Sequence, residues 1–313
     1  MKSVIDISEE GAGMDEKIYK ELKKGGFMRQ IQEGKFSMRL RVVGGQLKAK
    51  QIAKISEIAE KYGKGYIHMT SRQGVEIPFI DFKDINSVKE ELAQVGLQPG
   101  ACGPRVRTIT ACQGNSICPS GLIETSVLAK ELDAIYFARE LPHKFKIGIT
   151  GCRNNCLKAE ENDLGIKGGI KPFWEPLSCT YCGLCEAVCP AKTIAVDKSS
   201  KRVLFDENKC IYCGKCVKSC PMDCWRGVNG YITSFGGLFG NTIASGQNLL
   251  PLITNKETLI RVIDAAIEFF KEYGKSGERF RFTIERIGIE KLKEKLKEAY
   301  TESTNDSQVK TDK

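Results

Sequence analysis

Histidine is scarce in this chain: His68 and His143 are the only two in 313 residues, so haem held by paired histidines and His-rich zinc sites find little support. No apolar run approaches the roughly 20 residues that cross a bilayer, so no membrane span is expected. The opening stretch MKSVIDISEEGAG lacks the basic, apolar and small-residue succession of a secretory leader. The net charge is +9, yet the basic side chains are not gathered into one run. That argues against nucleic acid and suits an anionic substrate or an acidic electron carrier. Cysteine is what the chain has in quantity. Its 14 cysteines are too clustered for a disulfide framework, and the expected compartment is a reducing cytoplasm.

Eight of them form an internal repeat between Ser178 and Trp225. C-x2-C-x2-C-x3-C-P occurs as Cys179, Cys182, Cys185, Cys189, Pro190 and again as Cys210, Cys213, Cys216, Cys220, Pro221. This is the run of a two-cluster ferredoxin, in which the fourth cysteine of each run serves the other cluster. The expected sets are therefore Cys179, Cys182, Cys185 with Cys220, and Cys210, Cys213, Cys216 with Cys189, each around a [4Fe-4S] cluster. A zinc ribbon uses only two cysteine pairs and leaves four unexplained. The module reads as an insertion over residues 175–226, its joints marked by Pro172, Pro176, Gly227 and Gly230.

Four more cysteines flank a basic strand: Cys112 and Cys118 at C-x5-C, then Cys152 and Cys156 at C-x3-C. Folded back on each other they can close around a third cluster. Cys102 and Cys224 read as structural.

The remaining pattern is α+β. Residues 1–33 form a polar arm with a short helix around Asp15 to Lys24. Phe36, Met38, Leu40 and Val42 alternate with Ser37, Arg39, Arg41 and Val43, which predicts a half-buried strand with two arginines on one face. A helix from Leu47 to Tyr62, with Ile52, Ile55, Ile58 and Ala59 on its stripe, leads to strands GYIHMTSR and GVEIPFI. A helix over Ile85 to Val95 completes a ferredoxin-like unit over 34–100. A core domain takes 101–174 and 227–300. In it a strand from Arg105 to Thr110 is followed by a helix opened by Cys118-Pro119 and carrying Leu122, Val127, Leu128, Leu132, Ile135 and Phe137. A strand from Lys144 to Thr150 then points Lys144 and Lys146 the same way. Helices over Lys256 to Tyr273 and Ile289 to Tyr300 close the chain before a polar, disordered tail at 301–313.

The tails ACQGN and GCRNNC on the cysteine pairs, with MRLRVVGG leading to TSRQ and with LPHKFK, resemble the sirohaem sulfite and nitrite reductase family, and within it the anaerobic, dissimilatory-like sulfite reductases. The resemblance implies a ferredoxin-like half domain joined to an α/β sirohaem/[4Fe-4S] domain, here with the inserted ferredoxin. It implies that Cys156 bridges the third cluster to sirohaem iron and that Arg39 and Arg41 pair with sirohaem carboxylates. Gly236 and Gly237 would approach a further carboxylate, and Arg72, Arg107, Lys144 and Lys146 would hold the oxyanion. Three departures stand out. Val43 and Arg153 replace prolines of the family pattern, and GGLFGNTIASG lacks the arginine and proline that usually follow the glycines. The implied activity is six-electron reduction of sulfite to sulfide with sirohaem and three [4Fe-4S] clusters, fed by an external ferredoxin or by flavin or iron–sulfur subunits. Nitrite reduction to ammonia and a haem-free electron-transfer subunit are the alternatives. Because longer family members fuse two copies of this unit and draw cysteines and basic residues from different copies, the resemblance implies a homodimer or higher homo-oligomer for the single copy here.

Overall fold

The computed structural model describes residues 16–308. It divides into two compact units, one comprising the chain up to Thr110 together with Ala129–Lys146, the other Ala111–Leu128 and Ile147 onward.

The first unit begins with α1 (Glu16–Lys24) and a strand that the sequence pattern does not predict, β1 (Phe27–Arg29). These are followed by β2 (Lys35–Arg39), α2 (Ala49–Tyr62), β3 (His68–Met69), β4 (Val75–Asp81) and α3 (Ile85–Gln94). The sheet order is β1-β2-β4-β3. Residues 16–29 of the expected polar arm are thus part of the fold: Phe27 pairs with Met38 in register, and Leu22 and Phe27 are buried in the core. A three-residue strand offers too little alternation to be seen in sequence.

The predicted alternation of β2 is present. Phe36, Met38, Leu40 and Val42 are all buried, packed with Ile55, Ile58 and Ala59 of α2 and with Ile85, Val88 and Leu92 of α3. Full burial of each large apolar side chain contributes about 1.5–3 kcal/mol. Ile52, by contrast, is 51 % exposed, so the core stripe of α2 is narrower than its apolar residues suggest.

The next segments are β5 (Thr110–Ala111), α4 (Thr125–Tyr136), β6 (Ile147–Thr150) and β7 (Leu164–Trp174). α4 starts seven residues later than Cys118-Pro119 predicts, because residues 118–121 form a turn in which Gly121 N–H bonds Cys118 O. Its buried face carries Ala129, Leu132, Asp133 and Tyr136, while Val127 and Ile135 are exposed. An acidic residue on the inner face misled the periodicity. Asp133 accepts from Arg41 Nε at 2.7 Å and from Ile109 N–H at 3.0 Å. Burial pushes its carboxyl above the usual range against both donors.

The ferredoxin insert contributes α5 (Leu184–Ala187), β8 (Ile194–Asp197), β9 (Arg202–Phe205) and α6 (Lys215–Ser219), and β10 (Trp225–Phe235) follows. β10 pairs antiparallel with β7 without a break, from Trp225↔Trp174 to Phe235↔Leu164. Pro172 and Gly227 face each other inside this ladder and are not joints. Gly227 is there for close approach: a Cβ would lie 2.3 Å from Ile170 Cγ2. The sheet order is β10-β7-β6-β5, with β6 parallel to β7.

β11 (Leu238–Phe239) and β12 (Ile243–Ala244) form a small ribbon, and α7 (Lys256–Tyr273), α8 (Phe280–Ile287) and α9 (Ile289–Gln308) close the second unit. Asn255 caps α7 by accepting from Thr258 N–H at 2.8 Å. The predicted stripe from Leu259 to Phe270 is buried throughout. α9 continues to Gln308, so the polar tail is helical over most of its length; residues 309–313 lie outside the described residues.

Replacing Asp133 with alanine leaves the half-buried Arg41 guanidinium without its counter-charge. Urea unfolding followed by circular dichroism is expected to show a loss of about 3 kcal/mol in the first unit, with Asp133→Asn losing less because it keeps an acceptor for Ile109.

Candidate active site

Within the first unit, Arg39, Arg72, Arg107, Lys144 and Lys146 line one cavity of about 290 Å³ together with Thr70, Ser71 and Thr108. Backbone pairing accounts for the gathering. Val106 bridges Phe145 in parallel, with Arg107 N–H on Phe145 O at 2.9 Å and Phe145 N–H on Arg105 O at 3.1 Å. Phe145 is buried, so its neighbours Lys144 and Lys146 turn to the opposite face, as the alternation predicts.

The arginines are held by the surrounding backbone and by carboxylate. Arg107 donates through Nη1 to Ala101 O and through Nη2 to Gly103 O, both at 3.0 Å. Arg72 sits in the turn after β3, closed by Thr70 N–H on Gly74 O at 2.8 Å, and donates to Thr108 O at 3.2 Å. Arg39 Nε meets Glu76 at 2.6 Å, and its Nη1 lies 3.6 Å from Cys102 Sγ. Cys102, buried and unassigned by sequence, is thus a neighbour of a cavity arginine. Arg41 is not on the cavity: it binds Asp133 and stacks 3.9 Å from the Phe137 ring.

In the second unit the two cysteine pairs expected to share a cluster sit on loops packed against each other. Gly151, which follows β6, donates N–H to Cys112 Sγ at 3.0 Å. Its carbonyl accepts from Leu122 N–H at 2.8 Å, beyond the Cys118 turn. Thr125 Oγ1 fastens the other side by donating to Cys112 O at 2.5 Å. Asn155, in the left-handed region, anchors the second loop by accepting from Ala159 N–H at 2.9 Å and donating to Glu160 at 3.2 Å. Glu160 also pairs with the buried Lys167. Cys112, Cys118 and Cys152 are half-buried and Cys156 is exposed.

The ferredoxin insert contains two cavities. One is lined by Cys179, Cys182, Cys185 and Cys220, the other by Cys189, Cys210, Cys213 and Cys216. These are the groupings that a crossover of the fourth cysteines predicts. Among the described residues no three of His, Cys, Asp or Glu converge tightly enough to hold a single ion. The donor set fits iron–sulfur clusters in a further respect. Trp225, 2 % exposed, lines the first cavity, where its indole N–H interacts with the sulfur of Cys185. Backbone amides also face sulfur, Tyr181 N–H on Cys179 and Tyr212 N–H on Cys210, both at 3.4 Å.

β7 links the cysteine loops. Gly168 lies so close to Gly151 that a Cβ would meet Gly151 O at 2.2 Å. Two residues on, about 7 Å along a strand, Ile170 N–H bonds Tyr212 O at 2.9 Å. Lys218 of α6 adds a bond to Pro119 O at 3.2 Å. The Cys152 loop and the Cys213 loop therefore rest on neighbouring positions of one strand.

The glycine loop, which the resemblance brings near a carboxylate, packs against the segment before β7. Gly236 donates its N–H to Asp163 O at 2.9 Å, and a Cβ on Gly237 would meet Glu160 O at 2.1 Å. Gly237 permits close packing on the 160–163 segment, and Gly236 takes a left-handed turn at φ +76. Asp163 in turn receives Arg279 Nη2 on both carboxylate oxygens, at 2.9 and 3.0 Å. Sequence reading missed Asp133, Glu160, Asp163, Lys167 and Arg279; a charge inside an apolar stretch was the available signal.

Residues 28–95 match the nitrite/sulfite reductase ferredoxin-like half domain and residues 102–304 the nitrite and sulphite reductase 4Fe-4S domain. The chain belongs to the nitrite and sulfite reductase family. It is 34 % identical over 269 residues to a coenzyme F420-dependent sulfite reductase of Methanocaldococcus jannaschii, covering 85 % of this chain and 43 % of that protein. It is 32 % identical over 190 residues to one of the subunits of the anaerobic sulfite reductase of Salmonella typhimurium, covering 56 % of each. This chain of the nitrite and sulfite reductase family thus spans about half the length of these two relatives. A crystal structure of dissimilatory sulfite reductase I shares the fold, with a TM-score of 0.68 at 20 % identity over 84 % of this chain and 69 % of that one. No helix among the described residues is long and apolar enough to cross a membrane.

The cationic cavity can be tested without cofactors. Titrating sulfite into Lys144→Ala/Lys146→Ala should show affinity at least about 100-fold weaker than in the unaltered chain, as expected for losing two charge-assisted contacts. Calorimetry gives the comparison.

Proposed function

We propose that the chain is a sirohaem- and [4Fe-4S]-dependent reductase that converts sulfite to sulfide. The observation that carries this reading is the single cavity lined by Arg39, Arg72, Arg107, Lys144 and Lys146. A desolvated oxyanion needs charge-assisted hydrogen bonds in place of its water, and clustered guanidinium and ammonium groups supply them.

Hydrogensulfite needs six electrons and six protons to become hydrosulfide and three waters. When bound, sirohaem supplies an iron for the substrate sulfur, and the clusters supply electrons one at a time. Cys112, Cys118, Cys152 and Cys156 would hold the cluster coupled to sirohaem, with the exposed Cys156 available as the shared ligand. Arg72 and Arg107, fixed by backbone carbonyls, would orient the oxygens. Lys144 and Lys146 would polarise S–O bonds and pass protons to the departing oxygens. Arg39 suits a sirohaem carboxylate; Arg41, engaged by Asp133, suits it less.

The shared footing on β7 supports an order for electron delivery. Cys189, Cys210, Cys213 and Cys216 would hold the inner ferredoxin cluster, next to the Cys152 loop. Cys179, Cys182, Cys185 and Cys220 would hold the outer one, which an external low-potential donor protein would reduce. Sulfite is proposed over nitrite because the coenzyme F420-dependent sulfite reductase matches 85 % of the chain, whereas a nitrite reductase of Emericella nidulans matches 50 % of it.

Anaerobically purified, reconstituted protein is expected to contain about 13 irons and one extractable tetrapyrrole per chain, and to turn over sulfite faster than nitrite with reduced viologen. About four to eight irons would overturn the three-cluster assignment, and absence of tetrapyrrole would make the chain an electron-transfer protein.

Subunit composition of the site is a separate test. Cys156→Ala and Lys144→Ala/Lys146→Ala chains, each inactive alone, should recover about a quarter of full activity when co-expressed as a randomly mixed homodimer that shares its sites. No recovery in demonstrated mixed dimers would place every residue in one chain.

A further inference from the structure

The ferredoxin repeat extends past its eight cysteines. Aligning the two runs on Cys189-Pro190 and Cys220-Pro221 sets Ala191, Lys192 and Thr193 against Met222, Asp223 and Cys224. The backbone repeats as well: Lys192 and Asp223 both have φ +51, and two residues beyond the first cysteine of each run Tyr181 and Tyr212 have φ +56 and +55. Thr193 and Cys224 therefore occupy equivalent places, three residues after the proline of their runs.

Each sits beside its own run's fourth cysteine. Thr193 is 6 % exposed, and its Oγ1 lies 3.3 Å from Cys189 Sγ, with the Thr193 N–H at 3.4 Å from the same sulfur. Cys224 is 3 % exposed and lines the cavity that Cys179, Cys182, Cys185 and Cys220 surround. Its thiol couples electrostatically to the sulfurs of Cys220 and Cys179 and lies 3.5 Å from Met222 O, the competing acceptor. A cluster-bound thiolate carries negative charge and is the stronger acceptor of the two. Glu175 N–H holds the Cys224 carbonyl at 2.8 Å, which fixes the backbone from which the thiol projects.

We infer that Thr193 and Cys224 are counterpart hydrogen-bond donors, each tuning the reduction potential of the cluster that the neighbouring fourth cysteine serves. The inference rests on the two-cluster reading of the insert. A donor to a cysteinyl sulfur withdraws electron density from the cluster and stabilises its reduced form, raising the potential. Because the fourth cysteines cross over, Cys224 acts on the cluster of Cys179, Cys182 and Cys185, and Thr193 on that of Cys210, Cys213 and Cys216. A hydroxyl is a stronger donor than a thiol, so the same position in the two repeats is tuned by different amounts. Neither residue is a ligand, and neither touches substrate; both act through a cysteine.

The test is a reductive titration of the holoprotein followed by electron paramagnetic resonance. The two ferredoxin signals are assigned with Cys182→Ser and Cys213→Ser chains, each of which alters one of them. Cys224→Ala should lower the potential of the first cluster alone, and Cys224→Thr should raise it. Thr193→Val should lower the potential of the second cluster alone, and Thr193→Ser should restore it. An unchanged potential in Cys224→Ala and Cys224→Thr, or a Thr193→Val shift appearing in the first cluster, would overturn the inference. Iron content and the number of ferredoxin signals in the unaltered protein are read in the same samples. Fewer than two ferredoxin signals there would fault the two-cluster reading itself, which keeps the two failures apart.

Discussion

Close approach of backbone to backbone along β7 is the constraint on which the second unit depends. The Cys152 loop can lie on this strand because Gly168 has no Cβ, and the strand can pair tightly with β10 beside Ile170 because Gly227 has none. Removing side chains from these positions lets hydrogen bonds and carbonyls do the positioning. Gly151 serves both sides, offering its amide to Cys112 and its carbonyl to Leu122. Cysteine loops that are far apart in sequence are thereby brought onto one rigid element, where ligands are held more accurately than on free loops.

The first unit solves a different problem, keeping five cations around one cavity. Like charges at this density repel unless something opposes them, and in a folded chain burial of the opposing groups fixes their geometry. Arg72 and Arg107 donate to backbone carbonyls, which orient their guanidinium groups. Arg39 and Arg41 instead meet carboxylates, Glu76 and Asp133.

Much of this was legible in the amino-acid order. The cysteine spacing predicts the two groupings that line the cavities of the insert, and alternation predicts the buried face of β2 and the common direction of Lys144 and Lys146. What escaped had physical causes. Proline and glycine read as joints at Pro172 and Gly227, yet a two-stranded ladder accommodates both where no side chain fits between strands. Cys118-Pro119 looked like a helix start because proline favours first turns, while the Gly114 and Gly121 packing around it imposes a turn instead. Buried charges such as Asp133 and Asp163 carry no local signature, since their partners Arg41 and Arg279 lie 92 and 116 residues away. Cys224 stands outside the ligand spacing, and only its place equivalent to Thr193, in the cavity of Cys220, gives it a chemical context.

The uninterrupted pairing of β7 with β10 also has a bearing on how such a chain can arise. Trp174 and Trp225 are register partners at the end of the ladder, so the insert leaves and re-enters the core at adjacent points. A short reverse turn between those two residues would close the same ribbon as an ordinary hairpin. Since closing a longer connection adds only slowly to the entropic cost of folding, a whole redox module can be gained or shed at this tip with little demand on the host fold. The ribbon is thus a grafting point, one at which a lineage could exchange its internal electron supply for an external one while the catalytic framework stayed in place.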